Sequence, residues 1–180
     1  MADTHNVKLK NPNLNELFIM RHGIAVARGT PGISDDAKRA LTPEGKKKVE
    51  EIAQGLLNLG VNFDWIVTSP LVRAVETARM VREVAGPEIP LDVCDDLRPG
   101  GAPEALIAYL AKHENRKRIL VVGHEPDLSE LAGRLIGAGH RAHLALKKGG
   151  CCLVEFSEFP PKSPGKLIWW LTPRVMRRLK

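Results

Sequence analysis

Short apolar runs alternate with amphipathic helical segments along the chain, and this alternation restricts the fold more than any other sequence feature. Such runs are typical of strands buried on both faces of a sheet, whereas apolar residues spaced three and four apart indicate a helix that buries one face. Strands separated by helices indicate a mostly parallel sheet with helices on both sides. The sequence therefore predicts an α/β protein built as a three-layer α/β/α sandwich. The predicted strands are residues 17–20, 65–68, 89–93, 118–122, 151–156 and 167–171, and the predicted helices are residues 43–59, 70–84, 103–112 and 126–136.

Two of the predicted helices begin with the same local signal. Thr42 is followed by Pro43, and Ser69 is followed by Pro70. Each pair offers a hydroxyl that can cap the free N–H groups of a helix, and then a proline that the first turn accepts. Gly60 is placed to end the first helix. We therefore expect Thr42 and Ser69 to be helix caps rather than nucleophiles.

The overall composition is that of one ordinary globular domain. Of the 180 residues, 43% are hydrophobic and 27% are charged, and the apolar runs are too short to cross a bilayer. We expect a flexible polar leader over residues 1–15, one domain over residues 16–173 and a basic tail over residues 174–180. The leader lacks the apolar stretch of a secretory signal, and the three cysteines suggest no disulfide framework. The sequence therefore favours the cytoplasm and no membrane partner.

The chain is basic, with a formal net charge of +6 and a pI of about 9.4. A basic balance favours anionic partners such as phosphorylated compounds. Part of the excess lies in the tail, at Arg174, Arg177, Arg178 and Lys180. Because no aromatic residues or nucleic-acid module accompany these charges, we expect a solvated tail rather than a nucleic-acid site.

Arginine and histidine side chains follow three of the predicted strands. Residues 17–20 run into Arg21 and His22, residues 65–68 are followed by Arg73, and residues 118–122 are followed by His124. In a parallel sheet the carboxyl ends of the strands meet at one edge, which is where open α/β sheets bind ligands. We therefore expect two histidines and two arginines to meet there, although they are far apart in the sequence.

This set of side chains suits a phosphoryl group. Guanidinium groups such as those of Arg21 and Arg73 bind phosphate oxygens in a planar fork. His22, as a neutral imidazole, can attack phosphorus and form a phosphoenzyme, provided that a partner on its other ring nitrogen holds the tautomer. The sequence does not identify that partner. A cationic His124 could stabilise charge on the transferring group, and Arg39 is expected to be a solvated surface arginine.

Three segments, taken in order, resemble the signature of a known family. They read Leu-Phe-Ile-Met-Arg-His-Gly, Thr-Ser-Pro-Leu-Val-Arg-Ala-Val-Glu-Thr-Ala and Val-Val-Gly-His-Glu-Pro-Asp-Leu. They are similar to the histidine phosphatase superfamily, and best to its small SixA-like phosphohistidine phosphatases, over about residues 16–157. The resemblance implies that His22 is the phosphorylated nucleophile, that Arg21, Arg73 and His124 bind phosphate, and that no metal or cofactor is needed.

The sequence departs from this family at the acid that protonates the leaving oxygen. Mutases and many larger phosphatases carry a glutamate in a segment that here reads Asp-Asp-Leu-Arg-Pro-Gly-Gly, residues 95–101, with proline in its place. Acid phosphatases instead have an aspartate after the second histidine, where this chain has Glu125. Glu125 is therefore a candidate acid. The alternative is that it is a carboxylate favoured by the N-terminus of the following helix, and the sequence leaves both open.

The absence of a strong acid bears on the substrate. An alkoxide leaving group needs a proton in the transition state, whereas a phosphohistidine with a protonated ring can leave as neutral imidazole. The favoured hypothesis is a phosphatase acting on phosphohistidine, carried by a signalling or phosphotransfer protein as partner. Two alternatives remain: a phosphatase of small phosphorylated metabolites, and a regulatory module that binds phosphate without turnover.

Overall fold

The computed structural model describes residues 14–113, 115–138 and 143–180, so nearly all of the predicted leader lies outside the described residues. A single sheet is formed by β1 (Asn15–Arg21), β2 (Trp65–Thr68), β3 (Leu91–Val93), β4 (Arg118–Gly123), β5 (Cys151–Phe156) and β6 (Lys166–Leu171). The helices are α1 (Pro43–Asn58), α2 (Val72–Ala85), α3 (Pro103–Ala111), α4 (Asp127–Leu135) and α5 (Pro173–Met176). Short 3-10 turns occupy Asp36–Lys38 and Asp95–Leu97. Within the described ranges, no helix is long and apolar enough to cross a membrane.

The sheet has the order β3-β2-β4-β1-β5-β6. The first four strands are parallel, and β5 and β6 form an antiparallel hairpin that continues the sheet beyond β1. The mostly parallel α/β sandwich predicted from the sequence is therefore confirmed. Because β1, β2 and β4 are neighbours and run in one direction, the segments that follow them emerge side by side at one edge of the sheet.

The core consists of two apolar clusters, one on each face of the sheet. Alternate residues of the central strand β1 point to opposite faces, so Phe18 and Met20 pack toward α1 and α2, while Leu17 and Ile19 pack toward α3 and α4. All four side chains are buried. Because helices cover both faces, β1 is apolar throughout its middle, and the loop after it rests on a rigid support.

The two predicted helix caps have different outcomes. The Thr42 hydroxyl accepts a hydrogen bond from the Gly45 N–H at 2.9 Å, which confirms Thr42 as the cap of α1. The Ser69 prediction is wrong, because α2 begins only at Val72 and has no side-chain cap. Ser69 still belongs to the sheet edge, since its N–H donates to the Val122 carbonyl at 2.9 Å. Because Ser69 still pairs with β4, α2 can begin only a few residues later, at Val72.

The basic C-terminal segment differs from the expected solvated tail. It forms α5 and then folds back on α1, where Met176 is buried and Arg177 and Lys180 both pair with Glu51. Lys180 and Arg177 hold the pKa of Glu51 at about 2, well below its usual value. Gly55 permits this contact, because a Cβ there would lie 1.9 Å from the Met176 carbonyl oxygen. Arg174 and Arg178 remain exposed.

Candidate active site

The loops after β1, β2 and β4 bring the predicted residues together. His22, Arg73 and His124 are all buried, and the rings of the two histidines have centroids 5.1 Å apart. Arg21 lies close enough to lower the pKa of both histidines. The four side chains that the sequence predicted to converge therefore form one cluster at the carboxyl edge of the sheet.

His22 is held as a neutral imidazole with a defined tautomer. Its Nδ1 lies 2.7 Å from the Gly23 carbonyl oxygen, which accepts the ring hydrogen and leaves the lone pair on Nε2. Arg73 Nε donates to that Nε2 at 3.2 Å. Burial lowers the pKa of His22 to about 3, and the nearby positive charges of Arg73 and Arg21 act in the same direction. The partner that the sequence could not identify is therefore the next peptide carbonyl.

His124 is also neutral in the free protein. Burial lowers its pKa to about 4, and the neighbouring Arg73 contributes to the shift. Its Nε2 lies 2.8 Å from the Ser69 hydroxyl. A doubly negative phosphoryl group in the pocket would raise this pKa, because an opposite charge favours the protonated form.

Two buried nitrogen atoms in the cluster have no hydrogen-bond partner among the described residues: Nε of Arg21 and Nδ1 of His124. Buried polar atoms of native proteins are normally paired, so such atoms require an explanation. When the Ser69 hydroxyl donates to Nε2 of His124, Nδ1 carries a hydrogen and becomes a free donor. Two unpaired donors beside the neutral imidazole of His22 suit an anion that accepts several hydrogen bonds.

Asp36 anchors Arg73 from outside the pocket, and the sequence did not indicate this. Arg73 donates from Nη1 to the Asp36 carbonyl at 2.8 Å and from Nη2 to its carboxylate at 3.1 Å. Arg28 and Arg39 each approach the other carboxylate oxygen at 2.9 Å. The pKa of Asp36 lies well below its usual range, mainly because Arg39 donates a hydrogen bond to the carboxylate, with smaller contributions from Arg28 and Arg73. The solvated Arg39 predicted from the sequence is wrong, because its side chain is 12% exposed and also donates to the Val26 carbonyl.

Backbone contacts fix the loop that carries His22. The Gly149 N–H donates to the carbonyls of both Arg21 and His22, at 3.1 and 3.0 Å. Gly149 reaches this position with φ at +79°, a conformation that favours glycine. The Gly23 N–H donates to the Thr77 hydroxyl at 3.0 Å. Thr77 was not singled out from the sequence, although it lies four residues after Arg73, on the same face of α2.

Glu125 is linked to Arg21 through Leu146, and the described residues show no hydrogen bond from it to either histidine. Its Oε2 accepts a hydrogen bond from Ser129 at 2.5 Å, and its Oε1 accepts one from the Leu146 N–H at 3.1 Å. The Leu146 carbonyl in turn accepts from Arg21 Nη1 at 2.8 Å. Burial raises the pKa of Glu125. Glu125 thus supports Arg21 through Leu146, a contact that neither sequence interpretation included.

The comparisons with known proteins agree with this geometry. A family model described as the histidine phosphatase superfamily (branch 1) matches residues 17–99, which include Arg21, His22 and Arg73. An uncharacterized protein of Picosynechococcus is 38% identical over 138 residues, covering 75% of this chain and 81% of the relative. Phosphohistidine phosphatase SixA of Escherichia coli is 29% identical over 122 residues, covering 67% of this chain and 73% of SixA. A solved structure of SixA with tungstate has a TM-score of 0.76 at 24% identity, covering 89% of this chain and 99% of that chain.

Proposed function

Because the chain belongs to the histidine phosphatase superfamily and is a hydrolytic phosphatase that acts without a metal, we propose that His22 is its nucleophile. We further propose that its substrate is phosphohistidine carried by a protein. The observation that carries the proposal is the state of His22. The Gly23 carbonyl holds the ring hydrogen on Nδ1, and the lone pair on Nε2 faces Arg73. A neutral imidazole with a fixed tautomer is what attack on phosphorus requires.

In the first step, the lone pair of His22 Nε2 forms a bond to phosphorus while the P–N bond of the substrate breaks. The electrons of that bond return to the leaving imidazole. If the other nitrogen of the substrate ring carries a proton, the ring leaves as neutral imidazole and needs no proton from the protein. Arg73 exchanges its contact with His22 Nε2 for a phosphoryl oxygen.

The charge that gathers on the phosphoryl group is met by groups already in place. Arg21 and Arg73 offer planar donors, and Arg21 Nε is unpaired in the free protein. His124 becomes protonated when the anion binds and then donates as a cation. Asp36 accepts hydrogen bonds from Nη1 and Nη2 of Arg73. Because this fixes the guanidinium, the Nε of Arg73 stays directed at His22.

In the second step, water attacks the phosphorus of phospho-His22. A P–O bond forms, the P–Nε2 bond breaks, and its electrons return to His22 as the lone pair. The proton lost by the water leaves with the phosphate or passes to solvent. The protein then regains the neutral His22 with which it began.

Two observations favour phosphohistidine over alkyl phosphates. Proline occupies the place of the mutase acid, and both carboxyl oxygens of Glu125 are engaged by Ser129 and Leu146. A site without a free acid suits a leaving group that brings its own proton. The relative from Escherichia coli is itself described as a phosphohistidine phosphatase.

The test is turnover of a phosphohistidine peptide and of an alkyl phosphate, with EDTA present, by the native protein and by His22→Ala. We expect the peptide to be the faster substrate. We expect His22→Ala to lower its turnover by about a thousandfold or more, because no other group can form the intermediate. His113→Ala is the matched control, since the His113 ring packs at a tilt against Trp65, with ring centroids 4.3 Å apart, away from the cluster.

Other outcomes point to the alternatives. Faster turnover of the alkyl phosphate than of the peptide would reject phosphohistidine and favour a phosphatase of small metabolites. Phosphate binding without turnover of either compound would favour a regulatory module. Full activity of His22→Ala would reject His22 as the nucleophile.

A further inference from the structure

A second concave site lies beside the nucleophile loop, on the side of α1 and α5. It is a cleft of about 220 Å³, with Gly23 and Gly149 along one wall. Ile24 and Pro173 line it with partly exposed apolar surface, and the buried side chains of Val49 and Ile52 lie beneath them. None of these residues is among the four side chains of the catalytic cluster, so the mechanism leaves this cleft unused.

The polar side chains that line the cleft are all cationic: Lys48, Lys148, Arg174 and Arg177. Lys48 pairs with Glu44, and Arg177 pairs with Glu51. Lys148 and Arg174 are exposed and form no ion pair with the described residues. No acidic side chain lines the cleft, and the structure describes every one of its lining residues. The site therefore combines an apolar lining with unneutralised positive charge.

The cleft is next to the point where chemistry occurs. The carbonyl of its Gly23 wall accepts the ring hydrogen of His22, and the N–H of its Gly149 wall donates to the carbonyls of Arg21 and His22. Pro173 and Arg174 follow β6, which runs parallel to β1, so they lie at the same edge of the sheet. A chain segment seated here would lie alongside a group held on His22.

The C-terminal segment builds one side of the cleft. Contact of α5 with Gly55 of α1, together with the burial of Met176, places Arg174 and Arg177 at the same cleft as Lys48 of α1. A basic tail that only kept the protein soluble would not need this docking. The fold thus concentrates part of the net charge of +6 at the catalytic edge.

We propose that this basic cleft docks an acidic segment of the phosphoprotein substrate, an inference that rests on the proposed function. Carboxylates of the segment would pair with Lys148 and Arg174, and an apolar side chain beside them would lie against Ile24 and Pro173. Complementary charge of this kind mainly accelerates and orients encounter. The cleft would therefore select among phosphorylated proteins without taking part in bond breaking.

Three synthetic peptides test the proposal. Each carries one phosphohistidine, and the flanking residues are glutamate in the first, glutamine in the second and lysine in the third. With the native protein, we expect kcat/KM to be about tenfold higher for the glutamate peptide than for the glutamine peptide at low salt. The preference should shrink as salt is added, because exposed charges are screened.

The variant K148E/R174E reverses the charge of the cleft, and K117E/K166E is its matched control. Lys117 and Lys166 are exposed. Lys117 precedes β4 and Lys166 begins β6, so both lie at the opposite edge of the sheet. We expect K148E/R174E to prefer the lysine peptide and K117E/K166E to keep the preference for glutamate. The glutamine peptide should be turned over by both variants within about twofold of the native rate, which shows that the site remains folded.

The remaining outcomes separate the docking cleft from the phosphohistidine assignment. Equal turnover of all three peptides by the native protein would overturn the docking cleft but leave the phosphohistidine assignment standing. The same shift of preference in both variants would also overturn it, because net charge alone would then explain the effect. No turnover of any of the three peptides would refute the proposed function, and the docking inference with it.

Discussion

At the scale of single residues, the pocket depends on contacts that put each catalytic group in one chemical state. The Gly23 carbonyl selects the tautomer of His22, and burial keeps both His22 and His124 neutral. Asp36 fixes the outer edge of Arg73. Such contacts leave little to reorganise during the reaction, since the groups are already ordered when the substrate arrives. The proposed nucleophile, His22, is therefore prepared by its neighbours rather than by a general base.

Glu125 offers a test at this scale. We expect Glu125→Gln to change turnover of both an alkyl phosphate and a phosphohistidine peptide by less than about threefold. The amide oxygen can still accept from Leu146, and the amide N–H groups can donate to Ser129. Glu125→Ala should raise KM for both substrates, because Leu146 then no longer steadies Arg21. Steady-state kinetics of the two variants on the two substrates make the measurement.

The control is Ser129→Ala, which removes the hydroxyl that donates to Glu125 and leaves the carboxyl group in place. Loss of alkyl phosphate turnover in Glu125→Gln by about a hundredfold, with phosphohistidine turnover preserved, would identify Glu125 as a general acid after all. That result would contradict the supporting role inferred from its contacts.

At the scale of elements, two features position the site. One is the shared edge at the carboxyl ends of β1, β2 and β4, and the other is the close approach of helices to one another. Gly55 allows α5 to pack on α1, and α5 in turn borders the basic cleft. Gly45 has the same function at the other end of α1, because a Cβ there would lie 2.0 Å from the Ile24 carbonyl oxygen. Small residues in α1 thus set the distance between the helix and the loop that follows His22.

We predict that Gly55→Ala destabilises the protein by about 1–3 kcal/mol, the usual cost of overpacking. An alanine in a helix interior normally stabilises by about 1 kcal/mol over glycine, so the expected sign is opposite to the helix propensity. The physical reason is the Met176 carbonyl, 1.9 Å from the new Cβ. Urea unfolding measures the change. Gln54→Ala, at an exposed position of the same helix, should be neutral or stabilising; a more stable Gly55→Ala would show that α5 does not pack as described.

At the scale of the whole molecule, burial of two histidines makes stability depend on pH. The folded pKa values are about 3 for His22 and about 4 for His124, below the usual 6.5. At a pH between these folded values and 6.5, the unfolded chain binds more protons than the folded one. The free energy of unfolding therefore falls as the pH decreases from about 6.5. The carboxyl groups of Asp36 and Glu51, whose pKa values are lowered, respond only at more acidic pH.

We therefore predict that lowering the pH from 6 to 5 reduces the free energy of unfolding by roughly 2 kcal/mol, since each histidine contributes up to about 1.4 kcal/mol per pH unit. Urea unfolding at the two pH values measures it. The double variant His22→Gln/His124→Asn should lose most of this dependence. An equally steep dependence in the double variant would place its origin outside the site.

The sequence by itself determined the type of fold and the four side chains of the pocket. Strand and helix periodicities are local, and burial of strands on both faces follows from their apolar runs. Given a parallel sheet, the segments after β1, β2 and β4 must share an edge. Arg21, His22, Arg73 and His124 could therefore be placed together without knowing any distance.

Only the tertiary structure decided how those side chains are held and what surrounds them. Three contacts join parts of the chain that are far apart in sequence. They are the hydrogen bond of Arg73 to Asp36, the hydrogen bond between Ser69 and His124, and the ion pair of Arg177 in the C-terminal segment with Glu51. No local period specifies such pairs, because they depend on the angle and spacing at which packed elements meet. The same packing excludes water from the histidines, and it is this burial that lowers their pKa values.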